Sequence, residues 1–182
     1  MLSIQLPAFP ILRTERLVLR ELRPSDAERV FALRSDPLVM RHVNRPLATT
    51  MDDAVALITL ITGSVAANDA VQWAITVKGN DTFIGLIGFW RIAKEHHSGE
   101  LGYMLAREHW GRGYASEAIA AVVPFGFNTL GFHRVEAITR PENTASIGAL
   151  EKNGFVREAH FRENIFHNGV FHDSLHFGRL AE

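Results

Sequence analysis

The sequence has no cysteine in its 182 residues. Disulfides, thiolate metal sites and a cysteine nucleophile are therefore excluded. A cysteine-free chain suits the cytoplasm, where the protein is expected. No apolar run approaches the roughly 20 residues that a membrane helix needs, so no membrane partner is expected. The N-terminus has no basic region followed by a long apolar stretch, and no signal peptide is expected. Neither sign of charge dominates, with 19 Lys and Arg against 20 Asp and Glu. Nucleic-acid binders usually carry a basic excess, so nucleic acid is not an expected partner. The pattern Gly-x-x-x-x-Gly-Lys-Ser/Thr is missing, which excludes nucleotide hydrolysis of the P-loop kind. Internal repeats, low-complexity stretches and linkers are also missing.

What is present fits a single domain over residues 1–182, with 47% hydrophobic and 21% charged residues. Thr14 to Leu22 alternates and reads as a strand ended by Pro24. Ser25 and Glu28 match a capping box for a helix to Arg34 that buries Ala27, Val30 and Phe31. Leu38 to Ala48, with Pro46, reads as a loop or a short turn of helix. Thr49 or Thr50 caps a second helix to about Ala67. Val71–Lys78 and Thr82–Arg91 form a hairpin, with Trp73, Ile75 and Val77 on one face. Gly85 and Gly88 mark a bulge or a close backbone approach. Glu100–Leu105 is the next strand. A helix runs from Gly113, kinked by Pro124 and closed by Gly131. Arg134–Thr139 is a strand, and Asn143 caps a helix from Thr144 to Asn153. Phe155–Ile165 and Val170–Leu180 flank Asn168-Gly169, a hairpin signal. The order predicts a mixed α+β sheet with helices on both faces.

Gly99 to Ala121 is the stretch with chemistry in it. A short apolar strand runs through a polar loop and Trp110-Gly111-Arg112-Gly113 into a helix. Bare amides at a helix start face outward, and the helix dipole favours negative charge there. Gly111 and Gly113 permit close approach and unusual φ. Arg112 adds a positive charge toward a phosphate, or is an ordinary surface residue. The segment suits the pyrophosphate of a nucleotide-type cofactor.

Four stretches together resemble the GNAT superfamily of acetyl-CoA-dependent N-acetyltransferases, and most of all its RimJ/RimL branch. They are Thr14–Arg20, Phe83–Gly88, Glu100–Tyr103 with Trp110–Ala118, and Asn143–Ser146 with Leu150–Phe155. Asn168, Gly169 and Asp173 also fit. The resemblance implies a mostly antiparallel sheet of about six to seven strands, with a splayed pair holding acetyl-CoA. It places the cofactor motif on Trp110, Gly111, Arg112, Gly113, Tyr114 and Ala115, with the amides of Gly111 to Ala115 on the pyrophosphate. The backbone of Tyr103, Met104 and Leu105 would pair with pantetheine like an added strand. Asn143 would reach the pantetheine arm, the thioester would lie between this strand and Arg134–Thr139, and the amide near Met104 would be the oxyanion donor.

Glu100 opens that strand and is the leading general base; the alternative is an ordinary polar residue at a strand start. The family's frequent acid is a tyrosine in the helix after the asparagine, where this chain reads Leu150-Glu151-Lys152. Ser146 stands where the Rim-type branch has a serine proposed as acid. It either touches the sulfur or only supports its helix. An α-amine, with pKa about 7.7–8.0, needs less of a base than lysine near 10.4. This favours a protein N-terminal α-amine as acceptor. The alternatives are a small-molecule amine and a non-catalytic acyl-CoA sensor. His172 and His176 on one strand lie too far apart for one ion, and no metal site is expected. Phe31, Trp73 and Trp90 read as core before acceptor pocket. Asp173 orients an amine or pairs with an arginine. A homodimer is left open.

Overall fold

The structure is a computed structural model that describes residues 1–182. Its order is β1 (Leu12–Arg13), β2 (Leu17–Arg20), α1 (Ala27–Ser35), α2 (Pro37–Met40), α3 (Met51–Ala66), β3 (Val71–Val77) and β4 (Asn80–Ala93). Then come β5 (Ser98–Leu105), α4 (Tyr114–Asn128), β6 (Arg134–Thr139), α5 (Thr144–Lys152), β7 (Val156–His167) and β8 (Val170–Leu180). The strands make one 8-stranded sheet in the order β1-β2-β3-β4-β5-β6-β8-β7. That is one more strand than expected, because Leu12–Arg13, ahead of the expected opening strand, pairs with it as a strand of its own, Leu12 set against Leu19. Every pairing is antiparallel except β5 with β6. A parallel pair needs a long crossover, and α4 supplies it.

Each face of the sheet carries its own core. On one face α4 and α5 pack Ile119, Val122 and Leu150 against Leu101, Phe89, Val135 and Ala137. On the other, α1 and α3 pack Val30, Leu33, Ile58 and Ile61 against Ala74, Phe83 and Leu86. Strand β3 lies between the two layers. Val71, Trp73, Ala74, Ile75 and Thr76 are therefore all buried, where one buried face was expected. Gly85 and Gly88 are close approaches: a Cβ at Gly85 would sit 2.3 Å from the Met104 carbonyl oxygen, and one at Gly88 2.2 Å from that of Val71.

The start of α1 departs from the sequence reading. Pro24 opens a single 3-10 turn, and Asp26, not Glu28, accepts from the chain entering it, from the Arg23 amide at 2.9 Å. Asp26 is also the partner of buried Arg20, bonded at 2.8 Å through both Nη atoms. This ion pair fixes the capping box two residues earlier than expected, on Arg23 and Asp26. The helix buries Val30 and Leu33, while Ala27 and Phe31 are only partly covered. Thr50 caps α3, accepting from the Asp53 amide. Pro124 sits inside α4 without ending it.

Candidate active site

The β5–β6 pairing is short. It joins Ser98 to Arg134, Gly99 to Val135 and Glu100 to Glu136, and then stops. Beyond it β5 runs on to Leu105 and β6 to Thr139 without pairing, so the two strands diverge and leave a wedge.

The parity of β5 decides which backbone groups line this wedge. The Ala106 amide donates to the Ile84 carbonyl at 2.8 Å, and β5 keeps strict register with β4 from Gly102 to Leu105. Antiparallel bonding alternates along a strand. Gly102 and Met104 therefore face β4, and Leu101, Tyr103 and Leu105 face the other way: the Leu101 amide belongs to the last pair with β6, and Tyr103 and Leu105 open onto the wedge. The Leu105 carbonyl obeys this parity, accepting from the Trp110 indole at 2.8 Å. Of the three residues expected to pair with pantetheine, Tyr103 and Leu105 face the wedge. Met104, the expected oxyanion donor, has its amide in the β4 ladder; its side chain packs under the α1–α3 layer. The amide that opens toward β6 is that of Tyr103.

At the wide end of the wedge stands the glycine turn. Gly111 and Gly113 have φ of +70° and +77°, the left-handed region that glycine adopts freely. Gly113 is the N-cap of α4, and no side chain caps that helix. The first-turn amides, Tyr114 and Ala115 among them, are left for an anion. The turn is held from behind by Arg16. Its Nη1 donates to the Arg112 carbonyl at 2.9 Å, and its guanidinium lies 4.8 Å from the Tyr114 ring centre. Since the Arg112 carbonyl points at Arg16, the Gly113 amide of the same peptide plane points the other way. Glu117 fixes Arg16 at 2.6 Å and accepts from Thr14 Oγ1 at 2.6 Å. The Arg112 side chain itself is exposed. Trp110, expected in the cofactor motif, acts here as a strut that folds the turn back onto β5.

The α5 start closes another side. Asn143 accepts from the Ser146 amide at 3.3 Å, so its side-chain oxygen caps the helix and its amide nitrogen stays available. Ser146 Oγ lies 2.7 Å from the Tyr103 hydroxyl. Burial pushes that phenol up to about 12, and it stays protonated at neutral pH. The sequence reading found no tyrosine on the expected helix; the structure brings one to Ser146 from β5. Strand alternation was the available signal, since it puts Tyr103 on the α5 face with Leu101 and Leu105.

Glu100 lies at the apex, on the opposite face of the sheet. Its side chain is 15% exposed, with Arg91 at 3.8 Å. Burial raises its pKa above the ordinary glutamate value; Arg91 pulls it back and Glu136, its partner in register, pushes it further up. Trp90, 42% exposed, lies against Gly102 on this face and belongs to the open side, while Trp73 is core as expected. Asp173 forms no ion pair with an arginine. It pairs with His160 at 2.6 Å and accepts from the Glu163 amide at 2.9 Å, pinning an irregular stretch of β7.

The wedge between β5 and β6 opens beside this uncapped helix start, and residues 16–156 match the Acetyltransferase (GNAT) domain family. The chain belongs to the GNAT family. It is 36% identical over 166 residues to the uncharacterized N-acetyltransferase YoaA of Bacillus subtilis, covering 91% of this chain and 94% of that one. Among solved structures, a GNAT acetyltransferase of Bacillus anthracis superposes with a TM-score of 0.85 at 29% identity, over 94% of this chain and 98% of that one. RimL, the ribosomal L7/L12 alpha-N-protein acetyltransferase solved with coenzyme A, shares the fold with a TM-score of 0.86 at 19% identity, over 94% and 98% of the two chains. The chain is an acetyl-CoA-dependent N-acetyltransferase of the GNAT type.

Proposed function

We propose that this enzyme acetylates a protein N-terminal α-amine by direct attack in a ternary complex. The observation that carries the proposal is Glu100: one carboxylate with a raised pKa, at the apex of the wedge, on the face where the strands are open. A single carboxylate is a modest base. It suits an amine of pKa about 7.7–8.0, roughly a tenth of which is already neutral at pH 7. A lysine near 10.4 is neutral in only about 1 in 2,500 copies.

Acetyl-CoA supplies the activated acetyl thioester. Gly111, Arg112, Gly113, Tyr114 and Ala115 hold its pyrophosphate, and Asn143 the pantetheine arm. Tyr103 and Leu105 present backbone groups along the wedge. The amine nitrogen forms the new C–N bond, the C–S bond breaks, and coenzyme A leaves as the thiolate. Glu100, through a water, takes the proton that the nitrogen loses. The Tyr103 amide is the oxyanion donor, being the one turned into the wedge where Met104's is not. The Tyr103–Ser146 hydroxyl pair positions the sulfur. A thiol of pKa about 8.5 needs no strong acid to leave. A cysteine-free chain using acetyl-CoA fits the cytoplasm.

The test is a thiol-release assay with two peptides of one sequence. One has a free N-terminus and no lysine; the other is N-terminally blocked and has one lysine. The free α-amine peptide is expected to be the better substrate by at least roughly tenfold in kcat/KM near pH 7.5, following the neutral fractions. Equal rates, or a preference for lysine, would overturn the α-amine reading.

A further inference from the structure

Two arginines are buried in this protein, and they are treated differently. Arg20, 4% exposed, is matched by the carboxylates of Asp26 and Asp81. Arg140, 6% exposed, makes no ion pair. Its partners are neutral: the Arg41 carbonyl at 3.2 Å, His172 Nδ1 at 3.3 Å and the Asn44 side-chain oxygen. Its Nε is buried with no hydrogen-bond partner, and so is Nε2 of neighbouring His42. Glu142 is close enough to be felt but forms no pair, and Arg41 adds positive charge around His42. A buried cation is normally compensated, because removing it from water is costly. Here the compensation within the chain is incomplete, and unused donors remain.

The position is informative. On β6, Val135, Ala137 and Thr139 are buried, while Glu136 and Ile138 lie on the other face. Glu136 is the register partner of Glu100, so this is the face of the acceptor. Continuing the alternation, Arg140 lies on the same side, and its bonds to the Arg41–Asn44 segment agree. Ile138, exposed, and His176, opposite it on β8, lie between. Four residues of strand from Glu136 to Arg140 span about 13 Å.

We propose that Arg140, with His42 and His172, forms an anion-binding subsite at the far end of the acceptor face, and that the preferred amine carries a carboxylate three or four residues along an extended chain. The placing of the acceptor rests on the acetyltransferase reading; the anion site does not. A free amino acid is too short to span Glu100 and Arg140. A polyamine would bring a second cation to a cluster that already has Arg41 and Arg140. The guanidinium suits a carboxylate, which can accept from two of its donors at once. His172 contributes its ring Nδ1, 3.3 Å from Arg140 Nη1.

The first test reads binding without turnover. Glutarate is titrated into the coenzyme A-loaded protein while the imidazole NMR signals of His42 and His172 are followed, with glutaramide as control. Shifts that saturate with glutarate, are absent with glutaramide and disappear in Arg140→Met support the subsite; no saturable shift with glutarate overturns it. The second test compares kcat/KM for tetra-alanine against its C-terminal amide, and for Ala-Ala-Glu-Ala amide against the Gln analogue. A preference of roughly tenfold in the first pair names a C-terminal carboxylate, and in the second an acidic side chain. The preference should collapse in Arg140→Met and return in part in Arg140→Lys. Equal rates within both pairs, or a preference that survives Arg140→Met, overturn the proposal. Thermal stabilisation by acetyl-CoA is measured on the same samples. Its loss in wild type would count against the acetyl-CoA site, not against the anion subsite.

Discussion

Glu100 is held in an environment that works against its own charge. Burial is the main cause, with Glu136 adding repulsion and Arg91 opposing both from 3.8 Å. A base must be deprotonated to act, so activity is lost as pH falls through the raised value. The acid limb of kcat/KM should therefore lie above the ordinary glutamate pKa of about 4.3, and Glu100→Gln should remove it. That variant is expected to lower kcat by roughly 10²-fold, the low end for general-base loss, with little change in acetyl-CoA affinity. Stability moves the other way. A carboxyl whose folded pKa is raised binds more protons folded than unfolded. Its contribution is favourable at low pH and is lost as pH rises through the folded value. At neutral pH Glu100→Gln should melt no lower than wild type, and slightly higher if the amide finds partners. A rate matching wild type across pH would remove Glu100 as the base; a large loss of melting temperature would mean that its charge is structural.

At the scale of elements, the glycine turn at Gly111–Gly113 depends on residues far away in sequence. Thr14 and Arg16, between β1 and β2, hold Glu117 in the first turn of α4, and Arg16 reaches on to the Arg112 carbonyl. Asn153 at the end of α5 donates to Ser116 at 2.9 Å, so both helices beside the wedge are tied together there. Glu117→Ala frees Arg16 and lets the 112–113 peptide rotate. Acetyl-CoA affinity should fall by roughly 5- to 10-fold, the worth of one charge-assisted hydrogen bond, while kcat at saturation holds. Unchanged affinity in a calorimetric titration would show that the turn needs no clasp. This layer explains what the sequence disclosed and what it withheld. The strand Arg134–Thr139, the Asn143 cap and the Val170–Leu180 strand lie where read, since local caps, alternation and an Asn-Gly turn specify them. Ser25 and Asp26 are both competent caps, and the choice falls to Arg20, a tertiary partner. Which amide near Met104 turns outward is not legible locally, because parity depends on which pairs of β4 and β5 close hydrogen bonds, a long-range fact. Arg140 reads locally as a solvated charge, and only the Arg41–Asn44 segment folded against it buries the side chain.

The molecule as a whole is one sheet with a core on each face and a local defect where β5 leaves β6. Phe89 and Trp73 sit in the α4–α5 core, while Ala74 and Leu86, on the same strands, sit in the α1–α3 core. Neither layer can melt without exposing the strands that support the other, so unfolding should be a single cooperative transition. The wedge is the exception. The outward backbone groups of Tyr103 and Leu105 lack a strand partner on that side, and a ligand that pairs with them completes the sheet edge. Acetyl-CoA at about 100 times its Kd stabilises the native state by about 2.7 kcal/mol through mass action alone. For a domain near this size, about 2–4 °C of melting temperature follows each kcal/mol, so the whole transition should rise by roughly 5–10 °C. Hydrogen exchange should locate the effect. The amides of Tyr103 and Leu105 should slow in the complex, and those of Gly102 and Met104, already in the β4 ladder, and of Leu101, in the last pair with β6, should follow the global stability. If Met104 gained protection and Tyr103 did not, the parity assigned to β5 would be wrong, and with it the oxyanion donor. Two separate transitions, only one of them moved by acetyl-CoA, would mean that the layers unfold independently.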